Sequence, residues 1–171
     1  MISPETLFDS SAIVNASEGM MQAENYYTFA GVMSEHGYTW EAVKVPTEDG
    51  FTLTTFHVTG KVAKDGTVTS REATEPPVLV QHGLGTDAAT WLWSYIKGVP
   101  LPLQLYDAGF DVWLGNNRGT EYSQVHETLT TKDKEYWLFS WAEMGAYDAK
   151  AQVSKVKELT STEKILYLGY S

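Results

Sequence analysis

The sequence predicts an α/β fold in which a mostly parallel sheet carries helices on its flanks, and three observations lead to it. Residues 77–81, 110–114 and 164–168 are short apolar runs, each opening into a Gly-containing polar turn, as strands buried on both faces of a parallel sheet read. Two helical patterns, over 101–108 and 140–159, separate them. The order strand, helix, strand, long helix, strand gives parallel connections of the doubly wound kind.

Bulk composition sets the outer limits. With 171 residues, 43% of them hydrophobic and 13% aromatic, the chain holds enough apolar surface for one domain with a core, or part of one. A formal net charge of −10 argues against nucleic acid as a partner and against electrostatic attachment to an anionic membrane, so any contact with a lipid interface would be apolar. Without cysteine there is no disulfide framework and no thiolate metal site. Residues 1–20 contain Pro4, Glu5, Asp9 and Glu18 and do not read as a secretory leader. No run approaches the ~20 apolar residues of a membrane span, so no membrane-spanning segment is expected. Asn15-Ala16-Ser17 fits the N-glycosylation triplet.

Residues 1–37, with irregularly spaced Phe8, Ile13, Met20, Tyr26 and Phe29, are expected to form an N-terminal arm with one or two short helices, and residues 38–171 the core unit. A hairpin opens that unit: residues 42–45 and 51–58 read as strands, joined by Pro46 to Gly50 with Asp49-Gly50 supplying the turn. Residues 61–77 are polar and read as a surface excursion. The long helix from Ser140 presents Ala142, Gly145, Ala149, Val153 and Val156 as a narrow apolar stripe, and its charges, Asp148 among them, read as a solvated face.

Chemistry concentrates after the strands. The run 77–81 opens into His82-Gly83-Leu84-Gly85, whose glycines let backbone N–H groups approach a ligand; the other reading is a plain chain reversal after a core strand. The last run opens into Gly169-Tyr170-Ser171, the beginning of a nucleophile elbow, in which a strand turns sharply to expose a serine hydroxyl. In hydrolases built this way one oxyanion donor comes from the loop after the earlier strand, here the backbone N–H of Leu84, and the other from the residue after the nucleophile. The triad there runs Ser, then acid, then His, so His36, His57, His82 and His126 are assigned structural or surface roles, His82 orienting its own loop. None of the four has the spacing of a metal ligand, and neither metal nor cofactor is expected. Trp91, Leu92, Trp93, Tyr95 and Ile96 form an aromatic cluster that lines an acyl pocket, with Trp91 and Leu92 foremost, or is simply core. Arg118, in the polar turn 115–119, holds a carboxylate or, as the preferred reading, pins its loop.

Taken together, Gln81-His82-Gly83-Leu84, residues 107–119, residues 136–144, Tyr147-Asp148 and Gly169-Tyr170-Ser171 resemble the acid lipase family, which includes gastric lipase, lysosomal acid lipase and yeast steryl ester hydrolases. The resemblance runs from about Gly37 to the end, and the order and spacing of several motifs make it specific. It implies an α/β-hydrolase fold, triacylglycerol or steryl ester substrates, Ser171 as nucleophile, Leu84 N–H as oxyanion donor, and a secreted or lysosomal setting. Gly85 departs from the pattern, where a second Leu is common, and so does the polar excursion 61–77. The Gln-Gly after the nucleophile, the cap domain and the triad Asp and His are also missing. The chain is therefore expected to be the N-terminal half of the hydrolase core, inactive alone, and insoluble or molten because its last strand would belong mid-sheet. The other readings are a peptidase or small-ester esterase on the same fold, and a non-catalytic relic or structural subunit.

Overall fold

The computed structural model describes residues 28–93 and 98–171. Most of the expected N-terminal arm, the Asn15 triplet, and Tyr95 and Ile96 lie outside them. The described end of the arm is helix α1 (Phe29–Glu35), capped by the Thr28 hydroxyl, which accepts from Gly31 N–H. Phe29 and Met33 are fully buried, so α1 belongs to the core.

The hairpin follows as β1 (Tyr38–Pro46) and β2 (Phe51–Val62). Gly50 takes φ +95°, which the turn requires. The excursion begins later than the composition suggests. It carries a two-residue strand, β3 (Val68–Thr69), paired to β2, and Arg71 fastens its far end by donating to the carbonyls of Tyr106, Gly109 and Phe110.

Strand β4 (Pro77–Gln81) is buried throughout. A 3₁₀ turn (Ala88–Leu92) and α2 (Leu101–Asp107) lead to β5 (Asp111–Gly115), and a short strand, β6 (Val125–His126), returns to β2. After a 3₁₀ turn (Glu135–Trp137) comes the long helix α3, built of Trp141–Glu143, a π-helical segment Met144–Ala149, and Lys150–Thr160. Ser140 and Glu143 form a capping box at its start, and Ser161 ends it with φ +54°. Strand β7 (Leu166–Gly169) closes the order.

The main strand path is β1-β2-β5-β4-β7. The strands β5, β4 and β7 are parallel, and β2 joins β5 antiparallel, so the hairpin extends the parallel part on one side. Chain handedness explains where the helices sit. The crossover from β4 goes to one neighbour through α2, and that from β5 returns past β4 to the other through α3; right-handed connections in opposite directions place their helices on opposite faces. Residue alternation agrees. Val78, Val80, Val112 and Leu114 pack with α1 and α2 residues, while Leu79 and Trp113 pack against Val156 of α3.

One glycine fixes how closely α3 approaches. A Cβ at Gly115 would collide with the side-chain oxygens of Gln152 and Gln81, and Gln152 Oε1 is held by the Thr55 hydroxyl. Gly115→Ala is therefore expected to lower stability by about 1–3 kcal/mol, the usual cost of overpacking, measured as a shift in urea midpoint.

On its other side β7 has no strand partner among the described residues, and Leu166 and Tyr167 are about half exposed. No helix among the described residues is long and apolar enough to cross a membrane.

Candidate active site

The chain reverses its direction of strand placement at β4, and ligands of open α/β sheets collect at the carboxyl ends of strands at such a switch point. Register puts Gln81, Gly115 and Gly169 side by side at that edge. The three loops that leave it, 82–87, 116–119 and 170–171, are the ones that carry the motifs.

Ser171 follows β7 directly, is exposed, and has φ +66°. Only Ser161, at the helix end, shares a positive φ among the described non-glycine residues. A serine held at positive φ costs about 1–2 kcal/mol. The neighbouring loop packs against it: a Cβ added to Gly83 would lie 3.0 Å from Ser171 Cβ and 2.8 Å from the Tyr170 ring. Gly83→Ala is expected to displace the Tyr170-Ser171 turn and lower any ester-hydrolysis rate at least about tenfold, since misplacement by an ångström costs on that order or more. Steady-state kinetics checks it.

The loop itself is a β-turn, with Thr86 N–H donating to Gly83 O and Gly85 at φ +78° in the position that requires glycine in a type II turn. Leu84 stands out from it, 66% exposed, and no group among the described residues accepts from its N–H. His82 is buried, and both ring nitrogens are engaged. Its Nε2 accepts from Asn117 N–H at 3.0 Å, which leaves Nδ1 as the protonated nitrogen donating to Gly83 O at 2.8 Å. Burial lowers the His82 pKa and so favours this neutral form.

Beside the loop opens a cleft of about 380 Å³, walled by Leu84, Thr86, Trp137, Phe139 and Met144 and floored by Arg118. Trp91 and Leu92 do not line it. Leu92 is 1% exposed and packs in the core, because the 3₁₀ turn points it inward, and Trp91 leans on the Tyr170 ring at 5.0 Å. The aromatic wall comes instead from residues 137–144, more than forty positions later, which nothing local to the loop could have revealed.

Arg118 pins its loop, as the preferred reading had it, and does more. Its guanidinium donates to both Asp49 oxygens at 2.6 and 2.8 Å, while its backbone N–H and Nε reach Asp148, each at 2.8 Å. The Phe51 ring covers it at 4.1 Å. Asp148 is fully buried, which corrects its placement on a solvated helix face. Asp148, Gln152 and Val156 stand at i, i+4 and i+8, so helical periodicity puts all three on the inward side, where Arg118 supplies the carboxylate's partner. Burial pushes the Asp148 carboxyl up, yet the N–H groups that meet it can only donate, so the carboxylate is the form they hold. At Asp49 desolvation is outweighed by the guanidinium, and the carboxyl titrates below its ordinary range.

The remaining histidines lie elsewhere. His126 Nδ1 accepts from the N–H groups of Thr128 and Leu129, and His36 caps α1. His57 sits between Glu41 and Asp111 at 2.9 and 2.7 Å, stacked on Trp113. Although this is an acid–histidine–acid row, Asp111 begins β5 and Ser171 lies past the other end of the parallel strands, so it cannot serve Ser171. Burial of His57 disfavours its charge, but the two carboxylates outweigh burial and raise its pKa. A raised pKa means that its contribution to stability is fully present below the unfolded value of about 6.5 and is lost as pH rises through the folded value. Asp111 is shifted down, desolvation being overcome by His57 and Trp113, so its share is present above about pH 3.9 and lost as pH falls through the folded value. The stability gap between the protein and His57→Gln is thus expected to be widest at roughly pH 4–6.5 and to close above neutrality, as urea midpoints along a pH series would show.

Comparison with known proteins agrees with this geometry. Residues 76–171 match the family described as "alpha/beta hydrolase fold", and residues 29–95 match "Partial alpha/beta-hydrolase lipase region". Mouse lipase member M is 35% identical over 168 residues, covering 98% of this chain and 36% of its own. The lysosomal acid lipase/cholesteryl ester hydrolase of Macaca fascicularis is 35% identical over 159 residues, 91% of this chain and 39% of its own. A solved esterase of Pyrococcus furiosus shares the fold with TM-score 0.52 at 15% identity, over 81% of this chain and 42% of that one. The chain belongs to the α/β-hydrolase family. Its place within that family is among the acid lipases, and it spans a little over a third of the length of the curated relatives named here.

Among the described residues, no group of His, Asp or Glu side chains is arranged to hold a metal ion.

Proposed function

We propose that this chain carries the nucleophile and one oxyanion donor of a lipid-ester hydrolase acting on triacylglycerol or steryl esters. The observation that carries the reading is the positive-φ Ser171 at the carboxyl end of β7, in contact with the Gly83 turn whose next N–H has no acceptor among the described residues. Ser171 Oγ attacks the ester carbonyl carbon, the C=O electrons move onto oxygen, and Leu84 N–H donates to that oxyanion. Collapse expels the alcohol and leaves an acyl-serine for water to hydrolyse. The step also needs a general base and an acid to orient it, and in the acid-lipase order both follow the nucleophile. Neither His82 nor His57 is free to be that base.

Substrate class rests on the cleft and on the relatives. Trp137, Phe139, Met144 and Leu84 offer an apolar wall suited to an acyl chain or sterol, and one relative bears cholesteryl ester hydrolase in its name. The test uses the longest natural chain that contains these residues. A fluorophosphonate should form an adduct that maps to Ser171, and hydrolysis of a p-nitrophenyl ester series should rise with acyl length. No adduct at Ser171 would overturn the hydrolase reading and favour a structural subunit; preference for acetate would favour a small-ester esterase.

A further inference from the structure

We infer that Thr86 and Tyr170 are positioning residues that, with His82, clamp the Gly83–Leu84 peptide and thereby aim the Leu84 N–H; this rests on the oxyanion role proposed above. The argument turns on one peptide unit. Gly83 C=O and Leu84 N–H belong to the same planar trans amide, so their directions are opposite and fixed to each other. Whatever holds the carbonyl holds the N–H.

Three donors meet that carbonyl. The Thr86 hydroxyl and His82 Nδ1 each lie at 2.8 Å, and Thr86 N–H closes the turn at 3.3 Å. The Thr86 hydroxyl has one proton, and a carbonyl can only accept, so that proton is committed to Gly83 O. The Tyr170 hydroxyl, 2.9 Å from Thr86 Oγ1, must then donate to it. This gives a directed relay from Tyr170 through Thr86 to Gly83 O, in which each bond polarises the next. Its outer member adjoins Ser171 in the chain, so one side chain ties the nucleophile turn to the oxyanion turn. Trp91 braces the Tyr170 ring edge-on, and Gly83 leaves no room for a Cβ between the two turns. On the other side Asn117 N–H fixes the His82 tautomer that the clamp needs.

The clamp is outside the reacting atoms, so its removal should weaken transition-state binding and spare ground-state binding. Loss of a whole oxyanion donor costs about 10²–10³ in kcat; Thr86→Val keeps the donor but releases its aim, and about a 10- to 50-fold loss is expected, with KM within twofold. Affinity for a trifluoromethyl ketone, which mimics the tetrahedral adduct, should fall by the same factor. Thr86→Ser keeps the hydroxyl and should retain most activity. Tyr170→Phe keeps the ring against Trp91 and should lose about threefold, and placed on Thr86→Val it should lose nothing more, because Tyr170 acts only through Thr86.

The outcomes separate cleanly. A wild-type chain that neither labels at Ser171 nor hydrolyses any ester overturns the hydrolase reading and the clamp with it. An active wild type with Thr86→Val unchanged in kcat and ketone affinity overturns the clamp alone. Equal losses in KM and ketone affinity, or additive losses in the double variant, also overturn it. If Thr86→Val does not fold, Tyr170→Phe still decides: full activity with unchanged ketone affinity overturns the relay.

Discussion

Arg118→Leu is expected to lower the unfolding free energy by about 3–5 kcal/mol, among the largest stability losses available to a single substitution in this chain. The reason is what it leaves behind. Asp148 is fully buried, and its ion-pair partner among the described residues is Arg118. Without Arg118 that carboxylate stays desolvated and unpaired, or takes up a proton at a cost in free energy. Asp49 also loses a two-pronged contact, although its half-open position lets water replace part of it. A double variant separates the two explanations. Arg118→Leu with Asp148→Leu removes the orphaned charge, and an apolar replacement of a buried ion pair is often neutral or better, so it should recover much of the loss. Urea unfolding of both variants checks this. A loss below about 1 kcal/mol for the single change, or no recovery in the double, would mean the triad is not what holds this region.

The triad matters for the site because of what it joins. Asp49 belongs to the hairpin turn, Arg118 to the loop after β5, and Asp148 to the π-helical segment of α3. Arg118 also floors the cleft, whose wall includes Met144, the first residue of that segment, with Trp137 and Phe139 just before it. The same contacts that stabilise the fold therefore set the distance between Trp137, Phe139 and Met144 and the turn that bears Leu84.

What the sequence made legible was local. Continuous apolar runs marked β4 and β5 because strands buried on both faces have no polar side to show; the same kind of run marked β7, which is largely exposed here, and Asp49-Gly50 marked the hairpin because the turn needs a positive φ. Ser140 marked the start of α3 because its hydroxyl can cap the first turn, while Glu143, which read only as a surface charge, turns out to complete the capping box. What stayed hidden depended on register or on distance along the chain. Asp148 shares a helix face with Gln152 and Val156, but its charge reads as exposed because the Arg118 that pairs with it is 30 positions away. Leu92 sits next to the loop in sequence, yet a single 3₁₀ turn sends it to the core. The clamp on His57 follows from Glu41 and Trp113 lying directly across from it on two different strands, a register no single stretch encodes. Thr86 and Tyr170 are 84 positions apart, so their bond is a product of the fold.

Replacing Ser171 by Ala is expected to abolish fluorophosphonate labelling and cut ester hydrolysis by about 10⁶, the loss typical of removing a nucleophile whose partners act with it as a unit. The fold should barely respond, since the serine is exposed and loses only a hydroxyl. Backbone strain supplies an independent check. At φ +66° both Ser and Ala are held against their preferred conformation, whereas glycine is not. Ser171→Gly should therefore be as inactive as Ser171→Ala but more stable than it by about 1 kcal/mol, visible as a higher urea midpoint in the longest natural chain that carries the site. That pairing links the structure to the chemistry: a position that gains stability when the serine is removed, and loses all labelling in the same step, stores strain for the sake of presenting one hydroxyl. Equal stability of the two variants would show that the turn relaxes in solution. Residual labelling in Ser171→Ala would move the nucleophile elsewhere in the chain.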